Sequence, residues 1–336
     1  MDKQYRYTEI KNPVYILAND PFVAKKDGRY YYCFSDYVSG IRVKEIPGLH
    51  EIKTPGANLV WKPDRPDAMY SKEIWAPELH YIEGSWYIYF AASDGDNANH
   101  RMYVLKGTSQ DPTQPFELVR KITDDSDHWC IDGTIFTYRN ERYFVWSGWE
   151  GNVDVGQNLY IAHMDSPVSI DSERVCISKP DLDWETIGLP IEEGPAVLVD
   201  AAATDDGAAD EDSSVVSAAG ERITLVFSAS GSWTDDYCLG RLDLLPGADP
   251  MKPESWVKHP EPIFTKKEGA YGPGHCCFTH ADDGSLWMIY HCNRISGTGW
   301  SGRSCWIQPV TFENGEIVLE GPVVPDKTVH LAVRVM

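Results

Sequence analysis

The amino-acid sequence predicts an all-β fold, a five-bladed β-propeller with a four-stranded antiparallel sheet in each blade. Three observations lead to it. An aromatic hairpin motif recurs five times along the chain. The copies stand about 60 residues apart, a period that marks a repeat architecture. No stretch of several turns shows amphipathic helical periodicity, which argues against alternating βα units.

Each copy is a charged or glycine-containing turn followed by an aromatic, β-branched strand. The first runs Gly28-Arg29-Tyr30-Tyr31-Tyr32-Cys33-Phe34, and the second Gly84-Ser85-Trp86-Tyr87-Ile88-Tyr89-Phe90. The third is Asn140-Glu141-Arg142-Tyr143-Phe144-Val145-Trp146, and the fourth Gly220-Glu221-Arg222-Ile223-Thr224-Leu225-Val226-Phe227. The fifth is Gly284-Ser285-Leu286-Trp287-Met288-Ile289-Tyr290. The one long interval, between the third and fourth copies, contains residues 200–220, a small, acidic, low-complexity stretch. Such a composition cannot bury a core and reads as a flexible surface insert. An irregular β-sandwich could use the same hairpins, but sandwiches rarely repeat in sequence. The reading is a single propeller domain over residues 1–336.

The chain has 336 residues, 42% of them apolar, enough for one full core. Its formal net charge of −21 disfavours nucleic acid and anionic membrane surfaces as partners. Met1–Lys11 is polar and lacks an apolar signal core, and no apolar run of membrane-spanning length occurs. The expected compartment is therefore the cytoplasm. The eight cysteines form no CxxC pair and are expected to be reduced and structural. Among them Cys276 and Cys277 are adjacent and should point to opposite faces of one strand.

The strand preceding each turn carries the chemistry. Counting back to its start gives Asp20 in Asn19-Asp20-Pro21, Ala76 in Trp75-Ala76-Pro77, and Asp132 in Ile131-Asp132-Gly133. The fourth unit gives Glu193 in Glu193-Gly194-Pro195, and the fifth Gly274-His275. In a propeller the innermost strands line a central channel. Asp20, Asp132, Glu193 and His275 would then converge on one axis from distant parts of the chain. A lone Asp before Pro or Gly is usually a turn residue. Three acids in one repeat register are not explained that way, because buried carboxylates are costly unless they bind or react.

Two carboxylates flanking a scissile bond are the equipment of glycoside hydrolysis, one protonated and one ionised. Burial and mutual repulsion set their proton affinities apart. Glu193, with the longer reach, suits the proton donor, and a shorter Asp suits a base that holds water. His275 could ligate an axial cation or bind substrate. Trp75, which precedes the ring position of the second unit, is the aromatic best placed to stack on a sugar. Trp149 and Trp300, in glycine-rich loops, are weaker candidates. Arg303 could hydrogen-bond sugar hydroxyls.

These stretches, with Glu192-Glu193-Gly194-Pro195, Trp75-Ala76-Pro77-Glu78-Leu79 and Gly302-Arg303, resemble glycoside hydrolase family 43 over residues from about 12 to 312. The resemblance implies a five-bladed propeller and inverting hydrolysis. Asp20 would be the general base, Glu193 the general acid, and Asp132 the residue that orients Glu193 and tunes its proton affinity. The base and acid carboxyls of an inverting pair should lie roughly 6.5–9.5 Å apart. His275 matches a position that contacts a central calcium ion, usually through waters; no organic cofactor is implied. Arg303 matches a substrate-contacting arginine, and Trp75 an aromatic near the reacting sugar. Glu192 should face away from the channel, and Glu78 reads as structural. The substrates implied are arabinose- or xylose-containing carbohydrates; an intracellular location would favour short oligosaccharides cleaved from the chain end.

Ser71–Tyr81 and Ala92-Ser93-Asp94-Gly95-Asp96-Asn97 look more like the α-L-arabinofuranosidase branches, with β-xylosidase the alternative. The C-terminal β-sandwich of some xylosidases has no expected counterpart before Met336. A non-catalytic sugar-binding propeller would not need all three acids. A protein-interaction propeller would carry its binding residues on the rim, with no buried acidic ring. A retaining fructan hydrolase on a similar propeller would need the carboxyls closer, at about 5–5.5 Å.

Overall fold

The computed structural model describes residues 5–36, 40–199, 217–218, 222–313 and 316–335. The strands form five blades around one axis, as the repeat predicts. Blade I comprises Phe22–Lys26, Arg29–Ser35, Ile41–Ile46 and Asn58–Trp61. Blade II comprises Lys72–Ile82, Ser85–Ser93, Arg101–Gly107 and Phe116–Ile122. Blade III comprises Cys130–Tyr138, Glu141–Gly148, Asn158–Met164 and Val175–Ser178. Blade IV comprises Glu192–Val199, Ile223–Ala229, Cys238–Leu244 and Trp256–Lys258. In each, neighbours in sequence pair antiparallel, the innermost strand coming first.

Blade V has three strands of its own, Tyr271–His280, Leu286–Asn293 and Arg303–Pro309. Its fourth place is taken by the beginning of the chain. Val14 N–H donates to Cys305 O at 2.9 Å, and Cys305 N–H to Tyr15 O at 2.7 Å. Asn12 extends the pairing with its side-chain amide, which donates to Ile307 O and accepts from Ile307 N–H, both at 2.9 Å. Outside this seam Tyr5–Ile10 pairs antiparallel with Val329–Arg334. The ring is thus closed by hydrogen bonds between opposite ends of the sequence.

Strand periodicity explains why the middle of each second strand is apolar on both faces. Side chains alternate between the two faces of a blade, and each face meets a neighbouring blade. In blade I, Tyr30, Tyr32 and Phe34 join Trp287, Ile289 and Cys305 of blade V, while Tyr31 and Cys33 join Leu79, Trp86 and Ile88 of blade II. The five buried apolar clusters among the described residues correspond to the five blade interfaces. Cys276 and Cys277 serve opposite interfaces, as their adjacency requires. All eight cysteines are free thiols.

The insert at residues 200–220 lies outside the described residues, as does the Gly220-Glu221 turn, except that Ser217–Ala218 pairs parallel with Thr137 and Tyr138. Among the described residues there is no α-helix, and so none long and apolar enough to cross a membrane.

Candidate active site

The innermost strands carry a shared backbone irregularity at the axis. In blades II to V the ladder slips just after Trp75, Ile131, Glu193 and Gly274. The residue that follows each adopts a positive φ: Ala76 at 41°, Asp132 at 56°, Gly194 at 55° and His275 at 44°. Asp20, just before the first strand of blade I, has φ 44°. A left-handed backbone at a non-glycine residue costs on the order of 1–3 kcal/mol and collects at functional sites. In blades II to V it bulges the innermost strand where it reaches the channel.

This pattern corrects the sequence register in blade IV. Glu193 pairs with Ser228 as Ile131 pairs with Ser147, so the ring equivalent of Asp132 is Gly194 and not Glu193. Glu193 stands one residue earlier, level with Trp75 in blade II. The glycine is required where it sits. A Cβ on Gly194 would lie 3.1 Å from His275 Nδ1, and its own N–H donates to Asp132 Oδ2 at 3.0 Å. Gly194→Ala is expected to lower stability by about 1–3 kcal/mol and to reduce turnover, as checked by thermal denaturation and kcat on one sample. An unchanged melting temperature and kcat would show that the bulge tolerates a side chain.

The structure brings Asp20, Asp132, Glu193, His275 and Arg303 together. Arg303 Nη1 donates to Asp20 Oδ1 at 3.2 Å, and its Nη2 donates to Ser232 O at 3.1 Å. His275 Nδ1 lies 3.3 Å from Asp20 Oδ1 and 3.7 Å from Asp132 Oδ2. Glu193 Oε1 accepts from the Tyr237 hydroxyl at 2.8 Å. Trp75 is half-buried and stacks on His100 with ring centroids 3.9 Å apart.

The acids differ sharply in proton affinity. Burial pushes Asp20 up, but His275, His291 and Arg303 together outweigh it and hold the carboxyl far below its ordinary value. Asp132 is pushed up to about 7, first by burial and then by the charges of Glu193 and Asp20, with His275 opposing. Burial also raises Glu193, against the Tyr237 hydrogen bond and the charges of His275 and Arg303. Burial disfavours the charged form of His275, yet the three acids around it raise its proton affinity overall. Asp20 is thus held below its ordinary range, Asp132 and Glu193 are held above theirs, and His275 between them is shifted toward its charged form.

Other sequence candidates fall elsewhere. Glu192 faces away from the channel and is fully buried between blades III and IV, where Ser178 Oγ and Lys258 Nζ each reach its Oε1 at 2.7 Å. Glu78 binds His80 Nε2 at 2.9 Å within the core. Trp149 is stacked on Trp129 and buried. Trp300 is 60% exposed and lines a cleft of about 540 Å³ that also includes Asn19 and Arg303.

His275, the expected calcium contact, turns Nδ1 toward two carboxylates. Among the described residues no group of three or more His, Cys, Asp or Glu side chains is arranged to hold a metal ion. Calcium takes roughly six to eight oxygen ligands. The described side chains do not by themselves form such a set.

Sequence reasoning missed His291 and Tyr237. His291 is fully buried with Nδ1 3.4 Å from Asp20 Oδ1. It pairs with Gly274, at the second-strand position where blades II, III and IV carry Ala91, Ser147 and Ser228. One bulky polar residue among three small ones is the signal that could have found it. Tyr237 immediately precedes the third strand of blade IV, outside the repeated motif, and no signal marks it.

A propeller whose axis encloses carboxyls of opposed proton affinity, held by an arginine and an imidazole, has the equipment of a glycoside hydrolase. Comparison with known proteins agrees and supplies the family. The model of glycosyl hydrolases family 43 matches residues 10–317, and the chain belongs to that family. An extracellular exo-α-(1→5)-L-arabinofuranosidase of Streptomyces chartreusis is 32% identical over 294 residues, covering 84% of this chain and 82% of the relative. An enzyme of the same name from Streptomyces avermitilis is 33% identical over 83% of this chain, which spans only 55% of that relative. The crystal structure of an α-L-arabinofuranosidase from Lactobacillus brevis superposes with a TM-score of 0.83 at 29% identity, covering 94% of this chain and 98% of the other.

The expectation of a cytoplasmic protein is corrected by these relatives. Two are named extracellular, which points to a secreted protein. That expectation rested on the polar character of Met1–Lys11, and the first residues of a chain do not by themselves fix its compartment.

Proposed function

We propose that the protein is an inverting, exo-acting α-L-arabinofuranosidase that releases arabinose from arabinose-containing oligosaccharides. The observation that carries the chemistry is the convergence of Asp20, Asp132 and Glu193 on one axis around His275 and Arg303, with the proton affinity of Asp20 lowered and that of Glu193 raised. The choice of sugar is supported by the names of the relatives.

In this reading Glu193 donates its proton to the leaving oxygen. Tyr237 occupies Oε1, so the proton rides on Oε2. Asp20 orients a water and takes its proton as the water attacks the opposite face of the anomeric carbon. A very low proton affinity makes Asp20 a weak base in the resting site. A sugar hydroxyl that draws the Arg303 guanidinium away from Asp20 Oδ1 would restore basicity when substrate is bound. Asp132, accepting from the Gly194 N–H, anchors the bulge next to Glu193.

Proton NMR of the first-formed sugar tests the mechanism. An aryl α-L-arabinofuranoside should yield the β-anomer before mutarotation, and an initial α-anomer would reject direct water attack. The same preparation assayed on an aryl β-D-xyloside should turn over more slowly. A faster xyloside would overturn the choice of sugar.

A further inference from the structure

Two side chains outside the acids complete the axis, and they touch each other. Tyr237, from blade IV, is fully buried and donates its hydroxyl to Glu193 Oε1 at 2.8 Å. His291, from blade V, is fully buried with Nδ1 3.4 Å from Asp20 Oδ1. Their rings lie nearly parallel, 9° apart in plane, with centroids at 5.6 Å. The seat for this stack is built into the backbone. A Cβ on Gly274 would fall 2.2 Å from the Tyr237 ring, so only glycine lets the inner strand of blade V pass behind it.

His291 is otherwise expensive to keep. Neither ring nitrogen makes a well-aligned hydrogen bond among the described residues, and a buried polar group without one costs free energy. The polar group its Nδ1 faces is the carboxylate of Asp20. Burial, with the charge of Arg303, holds the imidazole down at about 3, so it is neutral and offers Asp20 a dipole and not a charge.

The geometry points to Tyr237 and His291 as a positioning pair, in which one ring holds the proton donor, the other holds the base, and their stacking sets the distance between Glu193 and Asp20. This rests on the roles given to those acids under the proposed function. Neither ring is a catalytic residue. Each acts through the carboxyl it touches, and the stack makes the two placements interdependent. Offset stacking is a preferred aromatic geometry, favourable beyond the area it buries, which biases the two rings to one relative placement.

The leaving group separates this from a merely structural role. Two aryl α-L-arabinofuranosides serve, one with a poor phenol leaving group and one with a strongly activated dinitrophenol that departs without a proton. Tyr237→Phe keeps the ring and loses the hydroxyl. It should lower kcat on the poor leaving group by roughly 10- to 100-fold, the cost of a misplaced catalytic group. On the activated substrate the fall should be less than about threefold, because no acid is needed there. His291→Phe keeps the stack and loses the nitrogen, so kcat should fall alike on both substrates. Tyr237→Leu removes the stack and should lower both, more than Tyr237→Phe does on the activated one.

Equal losses on the two substrates in Tyr237→Phe would overturn the acid-holding role. Tyr237→Leu behaving as Tyr237→Phe would overturn the coupling through the stack. Should Tyr237→Leu fail to fold, Gly274→Ala displaces the ring without removing it and carries the same expectation. The acid role itself fails by a different sign: Glu193→Gln retaining turnover of the poor leaving group.

Discussion

Glu193→Gln is expected to lower kcat on an unactivated aryl arabinofuranoside by about 10²–10⁴-fold, the range that a positioned general acid contributes. Glutamine keeps the shape of the side chain and an oxygen to accept from Tyr237, so the fold should survive with little change in melting temperature. Glu193→Ala should lose as much activity and also deprive the buried Tyr237 hydroxyl of its carboxyl partner, at a cost of about 1–3 kcal/mol. On the dinitrophenyl substrate both variants should recover most of the loss, since that leaving group needs no proton. Steady-state kinetics on the two substrates, with circular dichroism as a control for folding, decides the matter. A variant that hydrolyses both substrates at the wild-type rate would remove Glu193 from the acid role.

Asp20→Asn is expected to be at least as damaging, and on both substrates alike, because water must be activated whatever departs. The companion prediction concerns the wild-type pH profile of kcat/KM. His275, His291 and Arg303 overcome the effect of burial and hold Asp20 far below the ordinary Asp value. As pH falls, Asp20 therefore stays ionised past the point where an unperturbed Asp takes up a proton, and no acidic limb should appear near about pH 4. Glu193 is shifted the other way, chiefly by burial, so it keeps its proton above the ordinary Glu value of about 4.3 and activity is lost only as pH rises further. Asp132, pushed up to about 7, interacts with Glu193, and the basic limb belongs to the two together. A limb centred on the ordinary carboxylate value at the acidic side would contradict the ionised state assigned to Asp20.

Much of this architecture was legible before any coordinates, and the reasons are particular. The five second strands announced themselves because a blade sandwiched between two others must be apolar on both faces, which crowds residues such as Tyr30, Tyr31 and Tyr32 into one run. The acids were legible because each interrupts an apolar strand at its channel end. The offset of Glu193 was not, since a slip in the ladder adds a residue without changing composition, and only the pairing with Ser228 exposes it. The fourth strand of blade V was equally hidden. Asn12 to Tyr15 carry no strand pattern of their own and acquire the role from partners in Cys305 and Ile307. Tyr237 was invisible because its contact with Glu193 depends on a loop path that no repeat encodes.

The seam between the chain's beginning and blade V also dictates when the enzyme becomes an enzyme. Asp20 meets Arg303 across 283 positions of sequence, and His275 and His291 likewise arrive in the last blade to be made. A nascent chain that has already emerged through blade IV contains all three acids, yet it lacks the imidazoles and the guanidinium that hold Asp20 ionised. Hydrolytic competence should therefore switch on late and at once during synthesis, when the final blade docks onto the waiting N-terminal segment, and no shorter precursor should cleave sugar on its way to completion.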